Sequence, residues 1–151
     1  MIKVIVVGTL KEDYLKLAQR EYLKRLSKYN KVEIIEIKEK SIFNKEEELK
    51  KEAIEINNHI NKNDYIICLD LDGIEYNTND LTNKLKNIFD YNSNICFIIG
   101  GSVGLDESIK NISKLRLSFS KLTFPHNLFR IIFLEQIYRT YKIINNETYD
   151  K

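Results

Sequence analysis

Three of the five glycines in this chain fall in residues 97–109, which read FIIGGSVGLDESI. Three apolar residues of this stretch lead into Gly100 and Gly101, and Gly104 follows three residues later. Glycine adopts positive φ in tight turns and lets backbone amides approach a ligand closely. The cluster therefore indicates either a sharp turn or a ligand-binding loop after a strand, and we favour the ligand-binding loop.

The motifs for the common nucleotides are absent around this cluster. Neither the phosphate-loop pattern GxxxxGK[ST] nor the dinucleotide pattern GxGxxG occurs in the chain. The position about 20 residues downstream, where a ribose-binding carboxylate would stand, is occupied by Phe124. A small nucleoside-like ligand, held by backbone groups between apolar walls, fits the pattern better than a dinucleotide.

The remaining reactive side chains are few and do not form a metal site. Cys68 and Cys96 each lie inside an apolar run, which is typical of buried, reduced thiols. His59 lies among asparagines and is expected to face solvent. His126 follows the only proline, at a loop-to-helix junction, where it either contacts a ligand or caps the helix.

Composition limits the class of protein. The 151 residues are 43% hydrophobic and 30% charged, which is typical of one globular domain spanning residues 1–151. The net charge of +2 does not by itself indicate a nucleic-acid-binding protein, although residues 100–151 are mildly basic. No apolar run reaches the ~18 residues of a membrane span, and the first ten residues lack the features of a secretion signal. We therefore expect a cytoplasmic protein without membrane contact.

Apolar runs alternate with helical periodicity along the whole chain. The pattern predicts strands at residues 2–7, 32–37, 65–69, 95–99 and 115–119, with a helix after each. Asp13 is expected to cap a first helix that extends to about Ser27, with an apolar face that includes Tyr14 and Leu17. Asp106 is expected to cap a short helix, and a long helix follows Pro125. This alternation predicts an α/β fold with a parallel sheet covered on both faces, in which ligands bind at the carboxyl ends of the strands.

Four segments of the chain resemble one known family. They are LSFSKLTFPHNLFRIIFLEQIYRTYKI (residues 117–143), IIGGSVGL (98–105), VVGTLKEDY (6–14) and the tail ETYDK (147–151). Together they resemble the bacterial ribosomal RNA large-subunit methyltransferase H family, of the SPOUT class. The resemblance implies a parallel-sheet SPOUT fold with a C-terminal trefoil knot. It also implies a homodimer that uses S-adenosylmethionine to methylate the imino nitrogen of a pseudouridine in large-subunit rRNA on assembled ribosomes.

The same resemblance assigns three loops to the cofactor. One follows the third strand at Leu69, and the second is the glycine turn with Gly100, Gly101 and Gly104. The third contributes Phe119, Ser120, Lys121, Leu122, Thr123 and Phe124. Apolar side chains and close backbone groups suit an adenine ring, which agrees with the interpretation of the glycine cluster.

The basic positions of the family after the third loop correspond to His126, Arg130 and Arg139, which are the candidates for RNA contact. An alternative for Arg139 is an inward-facing pair with Glu135. A further alternative is that RNA contacts a lysine- and arginine-rich stripe between residues 16 and 28.

The tail carries the candidate catalytic residues Tyr149, Asp150 and Lys151. Members of the family commonly end in Tyr-His-Lys or Tyr-His-Arg, so Asp150 replaces the usual histidine. We expect the tail to cover the cofactor site, reaching across the dimer, with a frayed tail as the alternative. The altered tail also permits an RNA-binding protein of this fold without transfer activity, and an unrelated nucleotide-binding α/β protein is the third possibility.

Overall fold

A computed structural model describes residues 1–149 of the chain. Five strands alternate with five helices in the order β1 (Ile2–Val7), α1 (Asp13–Leu26), β2 (Val32–Ile37), α2 (Lys45–Asn58), β3 (Tyr65–Glu75), α3 (Thr78–Tyr91), β4 (Ile95–Ile99), α4 (Glu107–Ile112), β5 (Leu115–Ser118) and α5 (His126–Ile144). Asp106 caps α4 as predicted, accepting a hydrogen bond from the Ser108 amide at 3.1 Å.

The five strands form one sheet in the order β2-β1-β4-β3-β5, and every neighbouring pair is parallel. The predicted α/β class with a parallel sheet is confirmed. The central strands β1 and β4 are buried along their whole length, as expected for strands covered on both faces. The trefoil knot that the resemblance implies stays a prediction.

Helices cover both faces of the sheet. Buried side chains of α1, α3 and α5 pack on one face, and those of α2 and α4 pack on the other. Successive residues of β4 point to opposite faces, so Phe97 packs against Phe133 of α5 at 4.9 Å between ring centroids, while Ile98 joins the α2 side. Both thiols are buried and free as predicted, and burial raises the pKa of Cys96 to about 12.

The third and fifth strands differ from their predicted lengths. β3 does not end at Leu69 but continues to Glu75, and its pairing with β5 shifts between Leu69 and Ile74. A Cβ atom on Gly73 would lie 2.6 Å from the Arg116 carbonyl oxygen, so this bulge requires glycine. β5 ends at Ser118, one residue earlier than predicted.

The apolar face of α1 is narrower than its sequence predicts. Leu15 and Leu26 are buried, but Tyr14 and Leu17 are 69% and 59% exposed. Both exposed residues lie on a helix that packs against α5. Within residues 1–149, no helix has the length and apolar content needed to cross a bilayer.

Candidate functional site

A cavity of about 330 Å³ opens at the carboxyl end of the sheet, where β4 and β5 finish beside residues 69–71 of β3. We call it the glycine-turn cavity. The buried residues Ile99 and Leu117 contribute apolar walls, and the start of α5 contributes Phe129. The position agrees with the rule that ligands of parallel sheets bind beyond the carboxyl ends of the strands.

The glycine turn forms one wall of this cavity through Gly100, Gly101 and Gly104. The Gly104 amide donates to the Gly101 carbonyl at 3.1 Å, and Gly104 has a φ of +82°. A Cβ atom on Gly100 would lie 2.5 Å from the Gly104 carbonyl oxygen. The backbone therefore closes on itself so tightly that a side chain at residue 100 would open the turn.

Glu39, which sequence reasoning missed, supports the glycine turn from the end of β2. Its Oε1 accepts hydrogen bonds from the Ser102 hydroxyl and from the Ser102 amide, the latter at 2.9 Å. The side-chain hydrogen bond from Ser102 holds the pKa of the Glu39 carboxyl below its ordinary value. The only signal in the sequence is a carboxylate two residues after a strand that ends at the same edge of the sheet.

The other two predicted cofactor segments also reach the glycine-turn cavity. Nine of the ten residues assigned to the cofactor line it; besides the three glycines they are Leu69, Phe119, Ser120, Leu122, Thr123 and Phe124. Lys121 is exposed and does not line the cavity, and its assignment to the cofactor stays a prediction. Ser120 shapes its own loop, because its hydroxyl oxygen accepts from the Leu122 amide at 3.0 Å.

Arg130 lies inside the protein, with no exposed surface. Its guanidinium donates to Glu36 at 2.6 Å, to Gln19 at 3.2 Å and to the Gly8 carbonyl at 3.0 Å. The expectation that Arg130 contacts RNA is therefore wrong. The Nε atom has no partner within residues 1–149, but the other two nitrogens bind these three acceptors and so join α5 to β2, α1 and the end of β1.

His126 is half-buried at the first position of α5 and lines the glycine-turn cavity. Its ring also packs against Gly8, where an added Cβ atom would lie 3.2 Å from two ring atoms. Pro125 is the N-cap residue of α5, and within residues 1–149 no side chain donates or accepts a capping hydrogen bond there, so the helix-capping interpretation of His126 is wrong. The ring is available at the edge of the cavity.

Arg139 pairs with Glu135 one helical turn earlier, as the alternative interpretation proposed. The guanidinium also lies 4.5 Å from the ring centroid of Tyr149, and the Tyr149 hydroxyl donates to Glu135 at 3.1 Å. Burial, followed by the Glu135 charge, raises the pKa of Tyr149 to about 12. These contacts hold Tyr149 against α5, on a side that does not line the glycine-turn cavity of the same chain.

The predicted catalytic residues Asp150 and Lys151 lie outside the described residues. Within residues 1–149, no group of three or more histidine, cysteine or carboxylate side chains is placed to hold a metal ion. The glycine-turn cavity instead offers apolar walls, serine hydroxyls and closely approaching backbone groups. This set suits a flat aromatic ring with polar edges.

Comparison with known proteins identifies the family. Residues 1–150 match the family model described as "Predicted SPOUT methyltransferase". The chain is 48% identical over 154 residues to the ribosomal RNA large subunit methyltransferase H of Caldicellulosiruptor bescii, covering 100% of both chains. It is 44% identical over 157 residues to the protein of the same name from Ruminiclostridium cellulolyticum, covering 99% of each.

A solved structure supports the fold. A methylase family protein from Haemophilus influenzae superposes with a TM-score of 0.58 at 12% sequence identity, covering 99% of this chain and 70% of that one. The sequence matches exclude the alternative of an unrelated nucleotide-binding α/β protein. This chain belongs to the ribosomal RNA large subunit methyltransferase H family of SPOUT methyltransferases.

Proposed function

We propose that this protein transfers a methyl group from S-adenosylmethionine to the imino nitrogen of a pseudouridine in large-subunit rRNA, acting on assembled ribosomes in the cytoplasm. The observation that carries the proposal is the glycine-turn cavity in a chain 48% identical, over its full length, to a protein named for rRNA methylation. We further propose that residues 1–151 form a single domain with the knotted backbone implied by the resemblance.

The residues of the glycine-turn cavity fit the cofactor. Leu69 and Phe124 provide apolar surface for an adenine ring, and the glycines of the turn would let its polar edges approach the backbone closely. When bound, S-adenosylmethionine supplies an electrophilic methyl group. The protein's main contribution is then to hold the acceptor nitrogen in line with that group, because correct approach geometry removes much of the barrier.

A homodimer would bring the tail to this site. Tyr149 is fastened to α5 away from its own cavity, so its contribution requires the cavity of a second copy. Three exposed apolar side chains on the packed helices α1 and α5 supply surface for such a contact: Tyr14, Leu17 and Leu128. In this arrangement Tyr149 packs near the target base, Lys151 offsets negative charge, and Asp150 accepts a hydrogen bond or the imino proton.

The direct test uses ribosomes from cells that lack this protein. We expect the purified protein to transfer labelled methyl groups to these ribosomes, and mass mapping of the rRNA to place the label on one pseudouridine. Binding of ribosomes and S-adenosylmethionine without transfer would instead support the RNA-binding protein without activity that the altered tail permits. Methylation of another nucleotide, or of naked RNA only, would contradict the proposal.

Mixing two inactive variants tests whether the tail acts across the dimer. Deletion of residues 149–151 should remove transfer but preserve cofactor binding, whereas Gly100→Val should remove cofactor binding but preserve the tail. Mixed dimers contain one intact cavity and one intact tail on different chains, so activity should return on mixing. No recovery, with mixed dimers shown by mass measurement, would place the tail on its own chain's site.

A further inference from the structure

A second cavity, of about 390 Å³, lies on the other side of His126 from the glycine-turn cavity. It is formed after β1 and β2 and at the start of α5, and we call it the lysine cavity because Lys11 and Lys38 line it. Its wall also includes Gly8 and Asn127. The two cavities share the His126 ring, so ligands bound in them would lie next to each other.

The lysine cavity has an excess of positive charge. Lys11 and Lys38 are exposed, and no carboxylate of residues 1–149 forms an ion pair with either ammonium group. The carboxylate in the wall, Glu39, is already hydrogen-bonded to Ser102 in the glycine turn. The uncapped N-terminus of α5 adds amide donors at the same place. This arrangement favours an anion.

The wall also carries an acceptor without a donor. The Asn127 Oδ1 atom is buried and has no hydrogen-bond partner within residues 1–149. A buried amide oxygen without a donor is unfavourable, so a ligand that supplies a hydroxyl or N–H group here would be stabilised. A ribonucleotide offers both an anionic phosphate and a 2′-hydroxyl donor, which match the two features of this wall.

We propose that the lysine cavity binds the RNA nucleotide next to the methylated base, with its phosphate at Lys11 and Lys38 and its ribose hydroxyl donating to Asn127. This inference rests on the proposed rRNA methyltransferase function. It replaces Arg130 with two lysines as the phosphate contact near the site. In this arrangement His126 lies between the RNA nucleotide in the lysine cavity and the cofactor in the glycine-turn cavity.

The test compares Lys11→Ala/Lys38→Ala with the matched double variant Lys31→Ala/Lys62→Ala. The control removes the same charge from exposed lysines that precede β2 and β3, at the opposite edge of the sheet. Ribosomes from cells lacking this protein and S-adenosylmethionine are the two probes. Ribosome binding is measured by co-sedimentation at several KCl concentrations, transfer by labelled methyl incorporation, and cofactor affinity by calorimetry.

We expect the cavity variant to raise the ribosome Kd and the transfer KM roughly tenfold. It should also reduce the salt slope by about 0.7, because the one phosphate that is no longer neutralised contributes ~0.7 to the slope for a single strand. Its S-adenosylmethionine affinity should stay within about twofold of the wild type, as should every value for the control. Asn127→Ala should raise the transfer KM about fivefold without changing the salt slope, because it removes one neutral hydrogen bond.

Two results would overturn the assignment while leaving the proposed function intact. Equal behaviour of the two double variants would show that the lysine cavity makes no RNA contact. If Lys11→Ala/Lys38→Ala lost as much affinity for S-adenosylmethionine as for ribosomes, the lysine cavity would belong to the cofactor site. A wild-type protein that neither binds nor methylates ribosomes would overturn the proposed function itself, and the inference with it.

Discussion

The glycine-turn cavity and the outer side of α5 both carry residues suited to chemistry, but different interactions build them. Backbone geometry forms the first: Gly100 lies so close to Gly104 that no other residue fits. Charged and aromatic side chains form the second, where Glu135 pairs with Arg139 and also accepts from Tyr149. Backbone geometry at a glycine turn tolerates no substitute, whereas a half-buried arginine that pairs within its own helix should be replaceable at a smaller cost.

Gly100→Val should give the largest effect. Its first side-chain atom alone would lie 2.5 Å from the Gly104 carbonyl oxygen, so the turn must open. We expect loss of S-adenosylmethionine affinity by more than about 100-fold, measured by calorimetry on variants with unchanged circular dichroism. Val103→Ala, in the same turn but outside the cavity wall, is the control and should bind normally. Normal S-adenosylmethionine binding by a folded Gly100→Val variant would show that the glycine turn is not part of the cofactor site.

The two arginines of α5 should differ in their effect on stability. Arg130→Ala leaves Glu36, Gln19 and the Gly8 carbonyl without their donor, and should lower the free energy of unfolding by about 2–4 kcal/mol. Arg139→Ala removes a pair within one helix and should cost about 0.5–1 kcal/mol. Urea denaturation of both variants measures the difference. Equal losses would mean that the buried contacts of Arg130 contribute little.

Glu39→Ala should weaken the glycine turn without unfolding the protein. Loss of the two hydrogen bonds from Ser102 should reduce S-adenosylmethionine affinity about tenfold, because the turn is no longer held in its binding conformation. Glu33→Ala, an exposed position on β2, is the charge-matched control. Ser102→Ala combined with Glu39→Ala should add little further loss, since both remove the same interaction. If the losses of cofactor affinity in Glu39→Ala and Ser102→Ala simply added in the double variant, Glu39 would not act through Ser102.

The smallest effect concerns the end of α5 and depends on pH. Glu147 accepts hydrogen bonds from Lys28, Tyr29 and Lys142, which lower its pKa to about 2. A depressed folded-state pKa means that this stabilisation is present above the ordinary pKa of about 4.5 and is lost as the pH falls toward 2. Glu147→Gln should therefore flatten the decline in unfolding free energy between these pH values. If Glu147→Gln left the pH dependence of the unfolding free energy unchanged, the hydrogen bonds to Glu147 would not contribute to stability.

Local patterns in the sequence account for the elements and for most of the cavity wall. Alternating apolar runs and helical periods predicted all five strands and five helices, because side-chain period reflects local backbone geometry. The glycines at the end of β4 marked the cavity for a similar reason, since each requires a conformation that other residues resist. The extension of β3 escaped prediction because it depends on pairing with β5, which lies more than 40 residues later.

By itself, the sequence determined the order of the elements, the parallel sheet and the place of the glycine turn. The tertiary structure alone decided that Arg130 is buried, that Glu39 holds Ser102, and that Tyr149 packs on α5 away from its own cavity. The first two depend on partners 94 and 63 residues away along the chain. The sequence around a charged residue is the same whether its side chain faces solvent or a buried partner. Its role is fixed only when folding brings distant strand ends together at one edge of the sheet.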